Sequence, residues 1–146
     1  MKTTVELTGA AEWKAKLHAM GPAVFAAMVK SAYQSFEGVM ATSKEEYVPV
    51  DQGTLRSSGH VETPAVSGMT ATITMGYGGP AAPYAIAVHE NPRAGKTGGL
   101  SPSGKPYEHW ARTGGWKYLE TPLKAATGQI AAKLKDDVDA AHMRLK

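Results

Sequence analysis

Cysteine is absent from this chain of 146 residues, which removes disulfides and cysteine-based zinc sites from consideration. That absence also fits folding in a reducing cytoplasm. Only two phenylalanines are present, although 42% of the residues are hydrophobic. Alanine and glycine make up much of the apolar share, so thin elements packed closely are expected in place of a large aromatic core. No apolar run approaches the ~18 residues that a membrane span needs, and none follows the first residues as in a signal peptide. A soluble chain, intracellular when made, is expected from these features. Its length suits one domain, residues 1–146.

The net charge is only +3, and its position says more than its size. Residues 1–47 balance five lysines against five glutamates. The excess lies in residues 90–117, where Arg93, Lys96, Lys105, Arg112 and Lys117 face only Glu90 and Glu108. Such a segment suits a phosphate backbone or an acidic partner surface, and a solvated loop is the plain alternative.

Periodicity divides the chain into elements. Lys2–Leu7 predicts a short strand. Trp13, Leu17, Met20, Val24, Met28, Ala32, Phe36 and Val39 recur at helical steps, predicting an amphipathic helix to about Glu46. Gly21-Pro22 should kink or break it. Alternation then predicts strands over Leu55–Thr63 and Met69–Tyr77 with a turn at Pro64–Gly68, and a third, short strand over Tyr84–His89. Residues 91–116 are Gly-rich and aperiodic, a long loop expected to order only on assembly. Leu119, Leu123, Ala126, Ile130, Leu134, Val138, Ala141 and Leu145 predict a last helix beginning near Lys117–Pro122. The fold class expected is α+β: a small antiparallel sheet packed by a long N-terminal helix and a C-terminal helix, the Gly-rich loop preceding the latter.

Motifs of catalysis start and fail. Gly95-Lys96-Thr97 matches the end of a phosphate-binding loop, but the required glycine five residues earlier is Glu90. His89-Glu90 matches the start of a zinc-protease helix, but Arg93 stands at the second histidine and Pro92 opposes the helix. His60 and His89 would meet if they lay on neighbouring strands, with Asp51 or Glu90 close by; a metal-dependent enzyme there is a minor alternative to plain surface histidines. Ser57, Ser58, Ser101 and Ser103 have no nucleophile-elbow context. Neither an enzyme nor a resident cofactor is expected.

Three stretches, in order, carry a resemblance. They are Val48-Pro49-Val50-Asp51-Gln52-Gly53-Thr54-Leu55-Arg56-Ser57-Ser58 after the long helix, Tyr84-Ala85-Ile86-Ala87-Val88-His89-Glu90, and Lys117-Tyr118-Leu119-Glu120-Thr121-Pro122-Leu123 opening the last helix. Together they resemble the small tail-completion, or head–tail joining, proteins of tailed bacteriophages, over roughly residues 1–145. Gln52 stands where that family more often has threonine. The resemblance implies a structural virion protein, made in the host cytoplasm, that forms a homo-oligomeric ring at the neck. Six copies are expected, with twelve as the variant. Its neighbours would be connector or stopper proteins and the tail tube or terminator, with DNA only passing through the lumen. Tail terminator or connector stopper are alternative posts for the same fold. Arg93, Lys96, Lys105, Trp110, Arg112 and Trp116 are the candidate contact residues between subunits or with partners. A DNA-binding protein using residues 90–117, with Trp110 and Trp116 stacking on bases, is the alternative of another class.

Overall fold

A computed structural model describes residues 1–7, 18–19, 21–50, 52–95, 104 and 115–144, the side chains of residues 3–7 excepted. Trp13, Leu17, Met20, Asp51 and Leu145 lie outside the described residues, as does most of the Gly-rich loop.

Strand β1 (Lys2–Leu7) forms as its sequence predicts. Helix α1 (Pro22–Thr42) begins where the Gly21-Pro22 break was expected, with proline in the first turn, where a missing amide costs nothing. Five more residues, Ser43–Tyr47, continue it as one wide π-helical turn, closed by the Val48 amide donating to the Ser43 carbonyl at 2.8 Å. Val24, Ala32, Phe36 and Val39 are buried as helical spacing anticipated, Met28 is half-buried, and Phe25, Val29 and Met40 are buried beside that stripe.

One expected strand, and the start of another, are helical instead. Thr54–Ser57 is a short helix, α2, and the strand expected from Leu55 begins only at His60. Ser57 and Ser58 turn their hydroxyls back onto the carbonyls of Thr54 and Leu55, at 2.9 and 2.7 Å, which favours the turn over an extended chain. Ala85–His89 is a helix, α3, and not the third strand of a meander. Its buried residues are Ala85, Val88 and His89, spaced three and four apart, while Ile86 is exposed. A short apolar run fits either element, and here both edges of the central strand are already taken.

That central strand is β4 (Thr70–Gly76). Strand β1 pairs antiparallel along one side, Lys2 opposite Gly76 through Leu7 opposite Ala71. Strands β2 (His60–Val61) and β3 (Ala65–Ser67) share the other side. His60 stands opposite Gly76, and Ala65 opposite Thr72, so the partner strand gains one residue between them. This is a bulge, and it contains Pro64, which belongs on a sheet edge. The turn between β3 and β4 is the two-residue Gly68-Met69, with Gly68 at φ +57°, and not the five-residue Pro64–Gly68 expected.

Ala71, Ile73 and Met75 of β4 are buried and alternate with half-buried threonines. Ile73 and Met75 pack with Ala32, Phe36, Val39 and Met40 of α1 in one core, completed by Val48, Leu55, Ala85, Val88, Tyr118 and Leu119, while Ala71 packs with Phe25 and Val29 of α1. The last helix, α4 (Glu120–Arg144), runs antiparallel to α1: Val138 packs on Val24, and the Ser31 hydroxyl binds the Asp137 carboxylate, while the start of α4 lies by the end of α1. The fold is α+β, with the long helix and the C-terminal helix that the sequence predicts. Among the described residues no helix is long and apolar enough to cross a membrane.

Leu134 is 9% exposed in the α1–α4 seam. Leu134→Asp is expected to destabilise the domain by at least about 3 kcal/mol, because an unpaired carboxylate would enter that seam. Thermal unfolding checks it, and an unchanged midpoint would contradict this packing.

Candidate functional site

The described residues converge on a buried polar knot that joins four elements. Ser43, at the start of the wide turn and with regular helical angles, donates its buried hydroxyl to the Tyr118 carbonyl at 2.6 Å. Having one proton, that hydroxyl accepts from the Tyr77 hydroxyl at 2.8 Å. The Tyr118 hydroxyl donates to the Ala85 carbonyl at 2.7 Å. The Tyr118 ring meets both Tyr77 and His89 edge to face, each at 4.9 Å between centroids. Burial pushes the Tyr77 phenol up to about 12, against the opposing effect of its hydrogen bond with Ser43.

At its rim the knot opens into a chain of charges. Nδ1 of buried His89 donates to Oε1 of Glu90 at 2.7 Å, and its Nε2 is buried without a hydrogen-bond partner. With Nδ1 donating, Nε2 carries only a lone pair in the neutral ring. The Lys117 ammonium spans both Glu90 oxygens, at 2.8 and 2.7 Å, and reaches Glu120 at 3.2 Å. Lys124 closes the chain on Glu120 at 2.5 Å. The hydrogen bond from Lys117, then that from His89, holds the Glu90 carboxyl below its ordinary range, while Lys124 and then Lys117 bring Glu120 down to about 2. Lys117 itself sits at φ +53°, the one non-glycine residue at positive φ among those described, and its amide donates to the His89 carbonyl at 2.8 Å. The arrangement clamps the start of α4 onto the end of α3.

This clamp also closes the base of the Gly-rich loop. Gly115, at φ +132°, lies so near Ala94 that a Cβ there would stand 1.9 Å from the Ala94 oxygen. The same Cβ would stand 3.0 Å from Gly95 Cα, which places the two glycine Cα atoms no more than about 4.5 Å apart, near the ~3.8 Å of bonded neighbours. The chain therefore leaves at Gly95 and returns at Gly115 to one point. Of the expected contact residues, Arg93 is exposed, and Trp116 is 40% exposed. They are the chain neighbours of Ala94 and Gly115 and so flank this closed neck. Lys96, Lys105, Trp110 and Arg112 lie outside the described residues.

The histidine pair does not form. His60 is exposed on β2, its Nδ1 2.9 Å from the Ser58 carbonyl, whereas His89 is buried in α3. Among the described residues no group of three or more His, Asp or Glu could hold a metal ion.

Two surface grooves escaped the sequence reading. One, of about 450 Å³, follows the α1–α4 seam past Gly38, Val39, Ala126 and Ile130. The other, of about 480 Å³, lies between α1 and the bulged edge, lined by Phe25, Val29, Tyr33, Pro64 and Val66. The second depends on Pro64 and the bulge, which no hydrophobic period announces.

No family model, no curated protein and no solved structure matches this chain.

Two outcomes are expected from this geometry. Joining Gly95 directly to Gly115, with residues 96–114 deleted, should leave a folded domain of nearly unchanged thermal midpoint. Loss of cooperative unfolding would contradict the closed neck. Because Glu90 and Glu120 titrate lower when folded, their contribution to stability is present above about pH 4.5 and is lost as pH falls through their folded values, which for Glu120 is about 2. Glu120→Gln should flatten that acid limb in thermal melts, and an unaltered limb would show that the charge chain carries no stability.

Proposed function

We propose that the chain is a structural virion protein that forms a ring at the head–tail junction of a tailed phage, completing the tail and joining it to the connector. One observation carries this reading. The three stretches that resemble the tail-completion family are far apart in sequence, yet they supply Val48 and Leu55, Ala85 and Val88, and Tyr118 and Leu119 to a single core. The second and third are also bonded to each other, Tyr118 to Ala85 and Lys117 to His89. The resemblance therefore rests on residues that act as one packed unit, as a shared fold requires.

A ring needs two different surfaces on each subunit that fit head to tail. The groove beside Pro64 and Val66, with Val66 56% exposed, supplies an apolar surface of the right kind. The basic segment 90–117, rooted at the closed neck, docks on an acidic neighbour in the neck and leaves the lumen free for passing DNA. Ring closure by six subunits is the form proposed, and twelve is its variant.

Electron microscopy of lysates from the phage carrying an early stop codon in this gene tests the reading. DNA-filled heads beside detached tails are expected. Tails of irregular length would move the post to terminator, and normal infectious particles would overturn the proposal.

A further inference from the structure

The two edges of the sheet are not alike. The β2–β3 edge is broken by the bulge at residues 62–64 and by Pro64, two devices that stop another strand from adding. The β1 edge has neither: its six residues pair with β4 without a break. The backbone pattern fixes which groups face outward. Met1 and Tyr77 exchange both hydrogen bonds, N to O at 2.8 and 3.0 Å. In an antiparallel ladder the exchange then recurs at Thr3, Val5 and Leu7, and the amides and carbonyls of Lys2, Thr4 and Glu6 point away from β4. The Glu62 amide, bonded to the Thr74 carbonyl at 2.7 Å on the far side of β4, agrees with this phase. Among the described residues these outward groups have no backbone partner.

We propose that this edge pairs with β1 of a second copy, antiparallel across a two-fold axis through Thr4. The sequence of β1 is self-complementary in that register. Thr4 faces Thr4 of the second copy, and Lys2 faces Glu6 on both sides of the axis, so opposite charges meet twice. It is also the register that overlaps the whole strand, Met1 facing Leu7. The Lys2 ammonium now reaches across Gly76 to Glu62 at 2.6 Å; its side chain is 64% exposed, and surface pairs of this kind exchange partners at little cost. The pairing does not depend on the ring reading. Within a ring of six it would join one ring to another, since two-fold axes added to a six-fold rotation give twelve copies.

The natural absence of cysteine gives a direct test. In this register Thr4 and its counterpart form a hydrogen-bonded pair, with Cα atoms about 5.5 Å apart, within disulfide range. Thr4→Cys should therefore give a disulfide-linked dimer under mild oxidation, much faster than Lys2→Cys, whose counterpart lies across from Glu6. Sedimentation of the unaltered protein should show a concentration-dependent dimer, weakened by Lys2→Glu or Glu6→Lys and restored when both changes are combined. Hydrogen exchange at the amides of residues 2, 4 and 6 should slow as the dimer forms. Equal cross-linking of the two cysteine variants, or a monomer at every concentration with those amides unprotected, would overturn the proposal. A ring assembled by a protein whose β1 amides stay unprotected would overturn it while leaving the ring reading intact.

Discussion

Tyr118 is the residue on which the rest of the structure hangs. Its carbonyl accepts from Ser43 at the end of α1, its hydroxyl donates to Ala85 at the start of α3, and its ring seats Tyr77 and His89. One side chain and its backbone thus hold together the long helix, the residue following the central strand, the short helix and the entry to the last helix. The physical constraint is that every one of these groups is buried. An unmet carbonyl or hydroxyl there costs about 1–3 kcal/mol, so the four elements hold their positions together or lose them together. Around this knot the apolar core supplies the bulk of the driving force, and the knot sets its geometry.

The wide turn at Ser43–Tyr47 and the strained backbone of Lys117 follow from the same constraint. Ser43 keeps regular helical angles, φ −57° and ψ −46°, with its hydroxyl bonded to both tyrosines, and the wide turn follows it. Lys117, at φ +53°, turns the chain so that its amide meets the His89 carbonyl while its ammonium meets Glu90. Both irregular places lie where segments distant in sequence are joined. Two residues before Lys117, Gly115 lies against Ala94, so that the chain leaves and returns at one closed base.

Sequence reading succeeded where one period ran long enough. The stripe from Val24 to Val39, the stripe from Leu119 to Val138 and the alternation of Ala71, Ile73 and Met75 are all observed. It failed on Leu55–Ser58 and Tyr84–His89, each too short to show its own period. In the first, serine hydroxyls decide for a turn; in the second, β1 has occupied the edge that a third strand would have used. Of the strand expected over Leu55–Thr63 only His60–Val61 is extended, and past the bulge Ala65–Ser67 forms a strand where a turn was expected. As for the site, Arg93 and Trp116, named as contact candidates from composition, flank the closed neck, and their contact role remains a proposal; the knot was not foreseen. Ser43, Tyr77 and Tyr118 are separated by 34 and 41 positions and have no motif, so only the folded chain brings them together.

The virion role proposed from the three resembling stretches is tested most directly by whether, and where, the protein occurs in the particle. Immunogold labelling of intact phage with an antibody to this chain should place gold at the junction of head and tail. Gold spread over the capsid or along the tail, or unlabelled virions that lack the protein altogether, would contradict it.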